Sequence, residues 1–532
     1  MGLEVSVRLD LRSVRLNQAA RAHLVVVLTG TRDADRAGEP RPPMRTVLVL
    51  DASRSMQGEP LDHVKRSVER MVEMLSPEDE VGVVAFSDAA SCVAPPAKMD
   101  EAGKRLVRTR VSRLVVSANT NIEAGLELGA SLFVDVPAHT RRGIVLLSDG
   151  APNRGVYSVE GLRDVVKKYR PGLSVFALGY GRDHSEDVLS AIGESGGAGY
   201  EYVPDPATCS RAFARALGAQ ADVVASGIEI VIGLADGVEL VGFSGKEETR
   251  FGRDGVIVAL PDMVAGARRT IVAELAIGAK STEKFLAHVA DVAVRSKESA
   301  TPKVEKLDVE IADRDPTTDP AAMREVLLVR AESARAEARH LADCGHYHPA
   351  ASFIRRFLPQ IESCPGFVLN DGSPLAEAYE LLVDEAVMLE RMPSGAEYRE
   401  FRKTSFGAKV TATAPESARD RGPMSRRFVE DVAGDMPEAY LVDVTDGTRH
   451  RLREENVIGR TRGADIVLQD ASISRRHAAI NASDGRFLIT DLGSPGGIEV
   501  NGERVSGARV LVPGDVVRIG PMKLRYEEVP KT

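Results

Sequence analysis

Between Thr46 and about Ser226 the chain alternates continuously apolar runs, "TVLVLD", "VGVVAFS", "GIVLLSD" and "LSVFALGYG", with stretches whose apolar residues recur every three or four positions. Unbroken β-branched runs of this length predict strands buried on both faces of a parallel sheet. After Pro60, a residue suited to a first helical turn, Leu61, Val64, Val68, Met71, Val72 and Leu75 make one apolar stripe and predict a helix. The alternation predicts a doubly wound α/β domain over residues 44–226.

The flanks follow a different period. Residues 4–30 alternate polar and apolar positions ("EVSVRLDLRSV", "RAHLVVVL"), and strand patterns return in "GIEIVIGLADGVELVGF", "GVIVALP", "TIVAELAIG" and "LAHVADVAV". Neither flank makes a sandwich alone, so residues 1–43 and 227–311 are expected to form one β-sandwich interrupted by the α/β domain. Residues 319–402 switch to helical spacing and predict a helical hairpin with a tight turn at Gly345. Residues 405–436, rich in Ala, Thr, Ser, Arg and Pro, read as a linker. Residues 437–532 return to short alternating strands with Gly and Asp turns, a second, all-β sandwich.

Composition narrows the function classes. A chain of 532 residues with 43% hydrophobic and 28% charged residues is globular and long enough for about three or four domains. Its 69 basic and 78 acidic residues are interspersed, with a net charge of −9, so the basic footprint of a nucleic-acid binder is missing. "MGLEVSVRLDLRSVRL" lacks the apolar core of a secretory signal, and no run nears the roughly 18 residues that span a bilayer. Cys92, Cys209, Cys344 and Cys364 are too sparse for a disulfide framework. A soluble cytoplasmic protein without membrane or nucleic-acid partners is expected.

Two of the apolar runs end in a carboxylate, Asp51 in "VLVLDASRSMQG" and Asp149 in "GIVLLSDG". In open parallel sheets ligands bind beyond the carboxyl ends of strands, so both acids are expected on one edge. Ser53, Ser55 and Thr120 of "SANTN" add hydroxyl oxygens, a set suited to a hard divalent ion. Asp and Ser at strand ends also cap the helices that follow, which is the purely structural alternative. The pattern Asp-x-Ser-x-Ser with a later Thr and Asp resembles the metal-ion-dependent adhesion site of the Rossmann-like von Willebrand factor type A (VWA) family. That resemblance implies Mg²⁺ (or Mn²⁺/Ca²⁺) held directly by Ser53, Ser55 and Thr120 and through water by Asp51 and Asp149. It also implies a protein partner whose acidic residue completes the metal shell. Arg54 stands where the family usually has Gly, near the expected metal rim. An aspartyl phosphoryl-transfer reading would need a general acid two residues after Asp51, where Ser53 stands.

In the C-terminal sandwich, "NVIGRTRGADIVLQDASISRRHAAI" and "LITDLGSPGGIEVNG" resemble the forkhead-associated (FHA) family. Arg460 can offer a planar fork to a phosphate and Ser474 a neutral donor. The resemblance implies phosphothreonine recognition by Arg460 and Ser474, supplemented by Arg475, with Gly459 and His477 supporting the loop. The partner would then be a phosphothreonine-containing protein, such as a substrate of a Ser/Thr kinase. Gly496, preceded by Pro495, replaces the family's Asn that holds the ligand backbone, and Asn501 belongs to a later turn.

Cys344, His346, His348 and Cys364 match no common zinc spacing. "ADCGHYHPAASFIRRFL" instead resembles a tetratricopeptide-like helix pair, with Ala342, Gly345, Tyr347 and Ala350 at packing positions. Thr411 or Thr413 in the linker, once phosphorylated, could dock on the chain's own FHA domain. The expected role is a non-catalytic signalling adaptor. The alternatives are a VWA cofactor of an AAA-type ATPase machine, a phosphate-independent scaffold, and a metal-dependent hydrolase motivated only by the carboxylates.

Overall fold

The computed structural model describes residues 2–31, 41–394, 398 and 436–529, except 138–139, 170–171, 182–183, 204–205, 246, 280–285, 298, 300–301, 370, 461–463, 471, 475, 484, 493, 495 and 506. Two compact units result, residues 1–33 with 224–402, and residues 34–223 with 403–532.

In the second unit, six strands form one sheet in the order Ala90–Lys98, Glu80–Phe86, Met44–Asp51, Arg141–Ser148, Ser174–Tyr180, Gly197–Val203. All neighbours are parallel except the antiparallel edge strand Ala90–Lys98. The central strands are buried along nearly their whole length, which is why their sequences are largely continuous apolar runs. The helix Glu59–Glu73 buries Leu61, Val64, Val68, Met71 and Val72 against one face. Strand order reverses between Met44–Asp51 and Arg141–Ser148, paired from Met44↔Arg141 to Leu50↔Leu147. Asp51 and Asp149 therefore leave adjacent strands at the switch point of the sheet, where crossovers diverge and a crevice opens.

The same unit contains a sandwich of two antiparallel-rich sheets closed over a core that includes Leu441, Ile458, Ile480, Ile489, Val517 and Tyr526. Asn501 and Gly502, both at positive φ (55° and 84°), turn the chain between Ile498–Val500 and Glu503–Arg504. Asn501 also donates to Asp515 at 2.7 Å and accepts from the Val516 amide at 2.9 Å, so its side chain is spent on the turn.

The first unit is a second sandwich, built from sequence-distant pieces. Ala20–Gly30 pairs with Arg268–Ile277, and Ser13–Arg15 adds in parallel to Lys303–Ala312. A four-stranded and a six-stranded sheet enclose a core including Leu24, Leu28, Ile230, Leu275 and Val292. Three helices follow, Pro320–Asp343, Tyr347–Glu362 and Pro374–Glu390, so the expected hairpin is completed by a third helix. Asp319 caps the first by accepting from the Ala321 and Ala322 amides, and Gly345 makes the first turn at φ +81°. The third helix earns its place through Glu385, whose carboxylate accepts from Arg335 at 3.0 Å and Arg339 at 3.2 Å, all three buried. Among the described residues, no helix is long and apolar enough to cross a membrane.

Candidate functional sites

At the switch point the turn after Asp51 is a single 3-10 turn, Arg54–Met56, pinned by Met56, which is buried in the core. The pin holds Ser53 and Ser55 over the end of the sheet. Ser53 Oγ lies 3.0 Å from Ser55 Oγ, and Ser55 Oγ donates to Asp149 Oδ1 at 2.7 Å. Asp51 accepts from the Ser53 amide at 2.8 Å and from the Ser148 hydroxyl at 2.5 Å. Thr120 arrives from a third loop, fastened because its amide donates to Asn153 Oδ1 at 2.9 Å and its carbonyl accepts from the Asn153 amide at 3.0 Å. Asn121 next caps the helix Ile122–Ser131, fixing where that loop ends. A Cβ on Gly150 would stand 3.5 Å from Thr120 Oγ1 and 3.8 Å from Ser55 Oγ, so both hydroxyls face the same small cradle.

Burial pushes the Asp51 carboxyl up to about 6, against the hydrogen bonds from Ser148 and Ser53, and Asp149 adds repulsion. Three hydroxyls and two carboxylates, without nitrogen or sulfur, fit a small oxygen-seeking divalent cation, which would relieve that burial cost. Arg54 is exposed and is not among the positive-φ residues, so replacing the family's Gly introduces no backbone strain at this turn. Ser148 and Asn153 escaped the sequence reading. Ser148 ends a strand as an isolated hydroxyl in an apolar run, which is the signal that marks it.

At the C-terminal sandwich, Glu455–Gly459 delivers Arg460, whose amide donates to the Ser474 carbonyl at 3.1 Å. The two loops are thereby tied at the residues expected to hold phosphate. The Ser474 amide donates to His477 Nδ1 at 3.0 Å, so the proton of this fully buried ring sits on Nε2, which faces the Gly497 carbonyl at 3.1 Å. His477 thus braces one loop against the next without touching solvent. Ser494 accepts from the Gly497 amide at 3.0 Å and completes the second loop. A Cβ on Gly496 would meet only ordinary contacts, His477 Cε1 at 3.7 Å and the Ser472 carbonyl at 4.0 Å. Glycine there is not enforced by crowding. Arg475, Pro495, Thr411 and Thr413 lie outside the described residues. The helix-turn cysteines and histidines do not assemble either: no group of three or more His, Cys, Asp or Glu poised for a metal occurs among the described residues.

Compared with known proteins, residues 46–210 match the von Willebrand factor type A domain and residues 456–520 the FHA domain. The chain carries a VWA domain followed by an FHA domain. An uncharacterized protein of Synechocystis sp. is 28% identical over 225 residues, 42% of this VWA–FHA chain and 50% of the relative. The oxoglutarate dehydrogenase inhibitor of Corynebacterium diphtheriae is 33% identical over 164 residues, 30% of this chain and 97% of that protein. The chain spans between about a quarter and half of the first curated relatives, 27% of one and 50% of another. A von Willebrand factor type A structure from Catenulispora acidiphila superposes with a TM-score of 0.57 at 14% identity, covering 72% of this chain and 88% of its own, which speaks for the fold alone.

Proposed function

We propose that this VWA–FHA chain is a non-catalytic cytoplasmic signalling adaptor with two binding surfaces, one dependent on a divalent metal and one on phosphothreonine. The reading rests above all on the buried Asp51 beneath converging hydroxyls at the switch point. Ser53, Ser55 and Thr120 would hold Mg²⁺, with Asp51 and Asp149 behind them. Bound there, the metal supplies a Lewis-acidic seat for a carboxylate of a partner protein. Everything else falls to the chain. Met56 anchors the loop, Ser148 orients Asp51, and Asn153 keeps Thr120 at the rim.

In the FHA domain, Arg460 and Ser474 would grip the phosphate, with Arg475 adding positive potential and Gly459 and His477 holding the loop. The name of the Corynebacterium relative, an enzyme inhibitor, is in keeping with action by contact instead of by chemistry. Cys92, Cys209, Cys344 and Cys364 form no disulfide among the described residues, which suits a reducing compartment. Two weak attachments on one partner assembly bind far more tightly than either alone, so phosphorylation would switch the adaptor by adding the second contact.

The test is calorimetry on the full chain. Mg²⁺ is titrated into wild type and Asp51→Ala, and a phosphothreonine peptide pool beside its unphosphorylated twin into wild type and Arg460→Ala. Metal heat abolished in the first variant, and phosphate-dependent heat abolished in the second, support the adaptor. Equal heats from both peptide pools would sink the phosphothreonine half, and metal heat that survives Asp51→Ala would sink the other.

A further inference from the structure

The helix Pro206–Ala221 carries Arg211 and Arg215, one turn apart and so on one face. Arg215 bonds Glu201 of the neighbouring strand Gly197–Val203 and also Glu455 of the FHA domain. Arg211, itself only 5% exposed, places Nε 3.4 Å from the same Glu455 carboxylate. With its amide turned to satisfy both ends, Asn481 accepts from Arg211 at 2.8 Å and donates to the Ile480 carbonyl at 3.3 Å. Glu455 and Asn481 are cross-strand partners on the FHA sheet, so they form one small acceptor patch. Burial works against the Arg215 cation, yet Glu201 and Glu455 outweigh it and hold the guanidinium above its ordinary range.

Charges leave water at a net gain only when geometry and partners are good, and here two cations share two carboxylates and an amide. A surface of this kind selects one partner orientation. We infer that the Arg211–Arg215 face of the Pro206–Ala221 helix is a docking seat for the FHA domain of the same chain, engaged through Glu455 and Asn481. The patch lies at the start of the strand Glu455–Gly459, while Arg460 follows its far end, about 17 Å away at the usual rise per residue. Docking therefore engages the end of this strand opposite to Arg460.

The test is arginine-specific dicarbonyl labelling of the full chain, read residue by residue by mass spectrometry, with Glu455→Arg as the variant. Arg211 is expected to be protected in wild type and to label about tenfold faster in the variant. Unchanged labelling would overturn the inference. Amide exchange over Met522–Glu528 reports whether the variant FHA domain stays folded. Should it not, Glu455→Gln, which keeps the side chain's shape and removes its charge, must leave exchange there slow and still speed Arg211 labelling, and protection retained in that variant also overturns the seat. Protection that persists at tenfold lower protein concentration supports the same-chain assignment. Loss of protection on dilution would assign the seat to a second copy and overturn it.

Discussion

The two candidate sites solve opposite electrostatic problems. At the VWA switch point the sheet buries the Asp51 carboxylate, which accepts from the Ser148 hydroxyl and the Ser53 amide. In the FHA domain the framework beneath the ligand loops is neutral, a buried imidazole strung between a backbone amide and a backbone carbonyl. The first site holds a carboxylate whose charged form burial disfavours. The second is held by its braced loops, with the Arg460 amide tied to the Ser474 carbonyl. A site built on a buried carboxylate should respond to ions and protons, whereas one built on a braced loop should respond to anything that loosens the brace.

The sharpest blow to the neutral frame is His477→Ala. Losing both of its hydrogen bonds and leaving a cavity should cost the FHA domain about 3 kcal/mol, seen in denaturant unfolding of the full chain. A cost under about 1 kcal/mol would mean the loops hold themselves.

The charged site should show its character through pH. Folded Asp51 titrates near 6 against an ordinary 3.8, so as pH falls through 6 the folded chain takes up a proton that the unfolded chain accepts only later. The metal-free fold then gains roughly 3 kcal/mol from this group, fully present below the ordinary 3.8 and lost as pH rises through about 6. Magnesium, which needs the carboxylate, should correspondingly raise the melting temperature at pH 7.5 and much less at pH 5. An equal Mg²⁺ effect at both would detach Asp51 from the metal.

Smaller effects probe the two departures from family pattern. Gly496→Asn, for which there is room, should tighten phosphopeptide binding about tenfold by supplying backbone contacts. Isothermal titration reads it, and unchanged affinity would show that the family's contact cannot form here. Arg54→Gly should alter stability by less than about 0.5 kcal/mol, since the side chain is exposed and the backbone unstrained. A larger shift in the melting temperature would reveal a hidden contact.

Where local chemistry sets structure, the sequence was readable. The carboxylates Asp51, at the end of one strand, and Asp149, just after another, the helical stripe from Leu61 to Val72 and the turn at Gly345 all follow from short-range periodicity or a required φ. What depended on distant partners was not. Ser148 matters because Leu50 and Leu147 pair in register, which no window around either reveals. The third helix has apolar positions at Leu375, Leu382, Ala386 and Leu389, yet its buried Glu385 reads as surface until Arg335 and Arg339 are placed beside it. The bond from Arg215 to Glu455 spans 240 positions and leaves no trace in either neighbourhood.

The pairing of Ala20–Gly30 with Arg268–Ile277 has a consequence for the ribosome. At translation rates of about 5–20 residues per second, the Val-rich N-terminal strand waits tens of seconds for its neighbour to be made. The intervening α/β domain, whose strands all lie between Met44 and Val203, can fold during that wait. Until synthesis passes residue 277, the first strands of the chain are an open edge that needs a chaperone or slow collapse to stay out of aggregates.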